Sequence, residues 1–231
     1  MINFFTDRKF RIARIWSNRE LEKISLLLTG RIINVSAWKD ADKQGRFYKQ
    51  YFPKADSYSI SNYVTEARGF QGNKNEIFLD LTDNLDASLK EKFDVVFNHT
   101  CLEHIFEVFT AFDNLCALSK DLVIVIVPHL QEAHGNYGDY WRFTPESVAE
   151  LFRKSGLETV YLNFNDHPRS SVYIFAIATR YPERWESKII QIYGRSAYNR
   201  RPDELNESIG RFAIANLIYS LRRKIEFVFN S

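Results

Sequence analysis

FDVVFNHTCLEHIFEVFTAFDNLCALSKDLVIVIVPHLQEAHGNYGDYWRFTP, residues Phe93–Pro145, is the stretch that decides the fold. It opens with an apolar, β-branched strand, Phe93–Asn98, closed by Asn98-His99-Thr100. Thr100 and Glu103 have capping-box spacing and predict a helix beginning there. Asp121–Val127 is an almost unbroken run of Val, Ile and Leu, as expected of a strand buried on both faces of a parallel sheet. Polar and aromatic residues then crowd together: His129, His134, and Asp139-Tyr140-Trp141-Arg142. Functional side chains just past the carboxyl ends of parallel strands mark the edge where an open α/β sheet binds its ligand.

Outward from this stretch, Ser17-Asn18-Arg19-Glu20 is a second capping-box pattern, followed by Leu21, Ile24, Leu27 and Leu28 at helical spacing and a stop at Gly30. Strands are predicted at Arg31–Ser36, Ser57–Ser61 and Glu76–Leu79, and a helix around Arg46–Phe52. Thr144-Pro145 places a cap before proline at the first helical position, and Gly156 ends that helix. Leu157–Phe164 and Ser171–Ala178 read as an antiparallel pair. Seven strands, with helices alternating among the first five, predict a doubly wound, mostly parallel α/β sheet whose last strand is antiparallel.

The 231 residues suit one large domain, and 45% apolar with 15% aromatic residues supply a sizeable core. A net charge of +2 gives nucleic-acid binding no global electrostatic support. Residues 1–29 carry +3 and residues 180–231 carry +4, so the intervening body is acidic at −5. Cys101 and Cys116 fall on the helix predicted after Asn98, lack metal-type spacing, and read as reduced packing residues of a cytoplasmic protein. Asp7-Arg8-Lys9 and Arg11 occupy the place where a signal peptide has its apolar segment.

Residues 1–180 read as the folded domain and 181–231 as a C-terminal helical extension. In the extension Ile214, Leu217, Ile218, Leu221, Ile225 and Val228 form one apolar stripe interrupted by Arg222-Arg223-Lys224. A basic amphipathic helix of this kind suits an anionic membrane surface, packing on its own domain, or a second copy of the chain.

The order of elements resembles the class I S-adenosylmethionine-dependent methyltransferases, with their Rossmann-like seven-stranded sheet. FDVVFNHTCLEHI is similar to the family's fourth motif, and HGNYGDYWRFTPESVAELFRKSGL to the later stretch of its small-molecule and glycan-associated members. The resemblance spans roughly residues 18 to 180 and implies S-adenosylmethionine as cofactor. The family's glycine-rich first loop corresponds here to Asn34, Val35, Ser36, Ala37, Trp38, Lys39 and Asp40, with no glycine before Gly45. Its acidic ribose-binding residue corresponds to Asn62, and its adenine-side carboxylate to Asp80, followed by Leu81. Asn98 and His99 complete the implied cofactor side.

Methyl transfer is an in-line displacement, so alignment dominates, and a hydroxyl acceptor also needs a base. The resemblance brings His134 forward as the first candidate, then His129 and His104. A purely structural role, with His104 bonding backbone across the sheet edge, is the alternative. Asp139, Tyr140, Trp141 and Arg142 are candidates for holding an anionic or sugar acceptor. Equally, Asp139 and Arg142 form a loop clamp while Trp141 fills core. No spacing among His129, His134 and Asp139 is a metal signature. Two functions follow: a methyltransferase acting on a small polar or glycan-linked acceptor, or a methyltransferase-like domain without transfer activity that serves as a binding partner in polysaccharide assembly.

Overall fold

A computed structural model of the protein describes residues 11–42, 44–64, 69–131, 133, 138–165 and 172–194, together with 218, 221, 222 and 225. In chain order the elements are α1 (Arg11–Ser25), β1 (Gly30–Val35), β2 (Ala55–Asn62), β3 (Glu76–Phe78), β4 (Phe93–His99), α2 (Val108–Ala117), β5 (Ser119–Pro128), α3 (Pro145–Lys154), β6 (Glu158–Phe164), β7 (Tyr173–Thr179) and α4 (Pro182–Tyr193). The seven strands form one sheet in the order β3-β2-β1-β4-β5-β7-β6. All neighbouring pairs are parallel except those of β7, which runs antiparallel to β5 and β6. Every expected strand is present, and the sheet is the Rossmann-like one anticipated.

The period-two alternation of strand side chains divides the interior into two layers. Ile33, Val96, Val123, Val125 and Ile174 face α2 and α3, where Phe112 and Phe152 meet edge to face at 4.9 Å. Ile32, Val95, Phe97, Ile124 and Phe175 face α1 and α4. Residues 121–128 of β5 and all seven of β7 are buried, which is why both read as continuous apolar runs.

α4 is tied to the sheet through Asp121. That buried carboxylate accepts from Trp185 Nε1 at 3.0 Å and Thr179 Oγ1 at 2.7 Å, with Arg184 at 3.3 Å. Ile218, Leu221, Arg222 and Ile225 are helical, and Ile218 and Ile225 are exposed. The remainder of the apolar stripe lies outside the described residues.

Three local expectations give way to tertiary contacts. α1 begins at Arg11, so Ser17 is not a cap; its hydroxyl bonds back to the Arg14 carbonyl at 2.9 Å inside the helix. Thr100 has a left-handed backbone (φ 48°) and caps nothing; only a 3-10 turn, Leu102–His104, follows before α2 starts at Val108. Cys101 therefore precedes that turn, and Cys116 alone lies in α2. Arg46–Phe52 yields a single 3-10 turn, Tyr48–Tyr51, and among the described residues no α-helix joins β2 to β3 or β3 to β4. By contrast, Thr144 caps α3 as expected, accepting from the Ser147 N–H, with Pro145 first in the helix.

Candidate active site

The carboxyl ends of β1 to β5 share one edge. The strand order reverses between β1 and β4, and an open α/β sheet binds its ligand at such a point. Asn98 sits there, fully buried. Its Nδ2 bridges to the Val35 carbonyl of β1 at 3.0 Å, while Oδ1 has no hydrogen-bond partner among the described residues. Cys101 lies beside it. Burial pushes the Cys101 thiol up to about 11, partly offset by the side chains of Ser36 and Asn98.

On the β1 side, Ser36, Trp38 and Asp40 all have left-handed backbone, at φ 58°, 48° and 58°. Non-glycine residues hold that conformation at a cost of about 1–2 kcal/mol each, so the surroundings must impose it. The Trp38 N–H donates to Asn62 Oδ1 at 2.6 Å, and Asn62 Nδ2 returns a bond to the Trp38 carbonyl and another to Glu76 Oε1 at 2.6 Å. The Ala37 N–H donates to the Ser61 carbonyl. Asp40 is gripped by Asn34 Nδ2 (2.8 Å), the Tyr58 hydroxyl (2.6 Å) and the Lys49 N–H (2.9 Å). Burial raises the Asp40 carboxyl, and these bonds oppose the shift. Asn34 and Asn62 thus shape the loop. Asp80 Oδ1 accepts from the Thr82 N–H and hydroxyl, leaving Oδ2 open among the described residues. The Leu81 side chain belongs to the core and its carbonyl takes Asn114 Nδ2.

His99 points to the opposite face of β4 from Asn98, beneath α1. Arg14, which can only donate, approaches His99 Nδ1 at 3.4 Å and bonds Thr100 Oγ1 at 2.9 Å. The imidazole proton is therefore on Nε2, which donates to Ser17 Oγ at 2.9 Å. Burial first, then the Arg14 charge, lowers the His99 pKa well below 6.5 and keeps the ring neutral. It meets α1, the Thr100 hydroxyl at 3.1 Å and the rings of Tyr48, Phe97 and Tyr173.

The other half of the edge is a clamped loop. Arg142 grips Asp139 with two terminal nitrogens, at 2.7 and 2.8 Å, and its Nε bonds the Gln131 carbonyl at 2.9 Å. Trp141 Nε1 donates to the Ile105 and Phe106 carbonyls, and its ring packs against the core. His104 Nδ1 donates to the Gly138 carbonyl at 2.6 Å, and His129 Nδ1 to the Phe143 carbonyl at 2.7 Å. Tyr140 is exposed, stacked edge-on against Phe106. His134 lies outside the described residues.

The structure also brings to the site two residues that the sequence did not single out as site candidates. Glu103 is fully buried just past β4, and its main-chain carbonyl accepts from the Tyr140 and Trp141 N–H groups, at 2.8 and 3.3 Å. Burial pushes the Glu103 carboxyl up to about 7; its own main-chain N–H, then Arg14 and Arg142, oppose the shift and Asp139 adds to it. Arg14 reaches the same edge from α1. Glu103 was visible as part of Leu102-Glu103-His104, but nothing in the pattern around Arg14 signals its position. No three His, Cys, Asp or Glu side chains converge as a metal site among the described residues.

No protein-family model and no curated protein sequence matches the chain. Solved structures do match. A 1,6-didemethyltoxoflavin-N1-methyltransferase from Burkholderia thailandensis, with bound 1,6-didemethyltoxoflavin and S-adenosylhomocysteine, superposes with a TM-score of 0.52 at 18% identity over 77% of this chain and 80% of that one. An S-adenosylmethionine-dependent methyltransferase from Clostridium acetobutylicum ATCC 824 gives 0.53 at 10% identity, over 75% and 92%. Magnesium protoporphyrin IX methyltransferase from Synechocystis PCC 6803 with bound S-adenosylmethionine gives 0.51 at 10%, over 78% and 85%. At these identities the likeness is one of fold, and the fold is that of the class I methyltransferases.

Proposed function

We propose that the protein is an S-adenosylmethionine-dependent methyltransferase acting on a small polar or glycan-linked acceptor. The observation that carries this reading is Asn98 Oδ1, a buried acceptor without a donor among the described residues, at the point where the strand order reverses. The ammonium of the cofactor's amino-acid end is such a donor. Ser36, Trp38 and Asp40 already hold the left-handed backbone that a glycine-rich loop adopts with less strain, and Asp80 Oδ2 is open for the adenine amino group. Asn62 replaces the ribose-binding acid, and its amide is spent on Trp38 and Glu76, so cofactor binding rests on fewer charged contacts.

When bound, the cofactor supplies a methyl group made electrophilic by a sulfonium. The chain contributes alignment and exclusion of water. Asn98 fixes one end of the crevice, while the Asp139–Arg142 pair and the Trp141 bonds hold the loop that faces the acceptor. The exposed ring of Tyr140 is placed to cover a sugar or other flat acceptor.

Titration calorimetry with S-adenosylhomocysteine tests the reading. Binding is expected, and Asn98→Ala should weaken it about tenfold or more, the usual effect of losing one hydrogen bond to a charged group. Absence of heat and of any thermal shift at millimolar ligand would exclude the function. It would favour a binding or scaffolding domain without transfer activity, the reading that the Trp38–Asn62–Glu76 contacts support. The exposed Ile218 and Ile225 support peripheral membrane contact or self-association through the tail. Liposome co-sedimentation of the full chain against one ending at Asn206 distinguishes these: equal pelleting removes the membrane role.

A further inference from the structure

Glu103 is the feature of this edge that structural roles do not account for. Its side chain is fully buried, and among the described residues neither carboxyl oxygen has a hydrogen-bond partner. Leaving a buried acceptor unmet costs about 1–3 kcal/mol, and native proteins retain few such groups. The main chain of Glu103 is fixed nonetheless, by the N–H groups of Tyr140 and Trp141. A carboxyl held firmly, with His104 at 3.7 Å and its own main-chain N–H nearby but no full hydrogen bond among the described residues, is open to a donor from a bound ligand.

Charged and titratable groups face it from three directions. Arg14 comes from α1, Arg142 and Asp139 from the loop after β5, and His104 Nε2 stands 3.7 Å from Oε1. The Arg14 guanidinium is directed at Thr100 and His99, and Arg142 at Asp139, so both cations act on Glu103 through space. Two nearby arginines disfavour a cationic acceptor group, and the carboxylate disfavours an anionic one. A neutral hydroxyl satisfies both.

We propose that Glu103 accepts the proton of an acceptor hydroxyl during methyl transfer, which makes alcohols or phenols the acceptor class of this site. The inference rests on the methyltransferase reading above. The acceptor O–H bond breaks with its electron pair left on oxygen, and the proton passes to a Glu103 carboxylate oxygen. The acceptor oxygen forms the new bond to the methyl carbon with that pair, while the pair of the S–CH₃ bond stays on sulfur. Carboxylate and sulfonium thus become carboxylic acid and neutral thioether. Loss of two opposite charges is favoured in a site closed to water. A carboxyl whose pKa burial has raised to about 7 is also a better-matched base at neutral pH than an ordinary glutamate.

Full-length wild type, Glu103→Gln and Glu103→Asp are compared in three ways. pH-difference infrared spectra should show a protonated-carboxyl band that disappears near neutrality in wild type and is missing from Glu103→Gln. With S-adenosylmethionine, wild type should methylate catechol or methyl α-D-glucopyranoside, with a rate that rises through the same midpoint. Glu103→Gln should be slower by about a hundredfold or more, at unchanged S-adenosylhomocysteine affinity. Glu103→Asp, which keeps the acid but withdraws it by one methylene, should recover part of the rate. A band that titrates in the ordinary carboxylate range, or that survives in Glu103→Gln, overturns the proposal. So does a Glu103→Gln variant with near wild-type rate and pH profile, or a wild type that binds S-adenosylhomocysteine yet methylates neither alcohol. A wild type that binds no S-adenosylhomocysteine defeats the methyltransferase reading itself, and the proton-transfer role with it, whatever the infrared band shows.

Discussion

Replacing Glu103 with glutamine should change the way stability depends on pH, independently of any activity. The Glu103 carboxyl is raised from 4.5 to about 7 in the folded protein, chiefly by burial. Below pH 4.5 the folded and unfolded chains both hold the proton, and the side chain imposes no pH-dependent cost. Between there and pH 7 the folded protein keeps a proton that the unfolded chain releases. Each unit of rising pH therefore removes about 1.4 kcal/mol of stability, or about 3 kcal/mol across the interval. Above pH 7 both states are ionised and the loss is constant. Glutamine has no such dependence, and its buried amide costs about the same at every pH. The melting temperature of Glu103→Gln relative to wild type should therefore climb from about pH 4.5 to about pH 7 and then level off, by roughly 6–12 °C at 2–4 °C per kcal/mol for a chain of this size. Arg14, Arg142, Asp139 and His104 are present in both proteins, so their contributions largely cancel. Scanning calorimetry of the pair at constant ionic strength measures the difference. Parallel curves, or a gap that widens toward acid, would show that Glu103 is neither desolvated nor unpaired as described.

Three further outcomes follow from particular contacts. Arg142→Lys should lower stability by about 1–3 kcal/mol in urea denaturation, because an ammonium cannot span both Asp139 oxygens and also reach the Gln131 carbonyl. Gly30→Ala should cost about 1–3 kcal/mol by the same measurement: φ is +84°, and an added Cβ would stand 2.5 Å from Asp94 Oδ2, which already receives the Arg31 N–H. Trp185→Phe should reduce stability by about 1–3 kcal/mol, seen as a lower urea midpoint, since Asp121 loses its indole donor while remaining buried.

The sheet was legible because buried strands write themselves as unbroken apolar runs. Residues 122–127 of β5 allow few alternatives to a central strand, and the Thr144-Pro145 start of α3 depends only on local chemistry. Ser17 and Thr100 misled for the complementary reason. Each carries a cap-like hydroxyl whose partner is distant: Ser17 finds His99, and Thr100 finds Arg14. The acidic position at the end of β2 could be aligned with Asn62, but not the bond that joins its amide to Trp38. Glu103 stood inside a recognisable motif, yet its importance lies in contacts it lacks, and spacing does not record an absence. Arg14 enters the site only because α1 crosses the carboxyl end of β4, which is a property of packing.

The anchors of α1 also bear on how the chain assembles. Arg14 meets Thr100 across 86 residues, Glu20 meets the Tyr161 hydroxyl across 141, and the Glu20 carbonyl receives the Tyr193 hydroxyl across 173. During synthesis this helix leaves the ribosome before every strand it touches. Among the described residues its first side-chain hydrogen bond to a strand is to His99, 82 residues after Ser17, and its last partner comes only with α4. Contacts of such long sequence separation slow folding and leave apolar surface exposed meanwhile. The helix that supplies Arg14 to the site is thus made early, and the Arg14–Glu103 edge takes shape only once β4 and the turn after it have been translated.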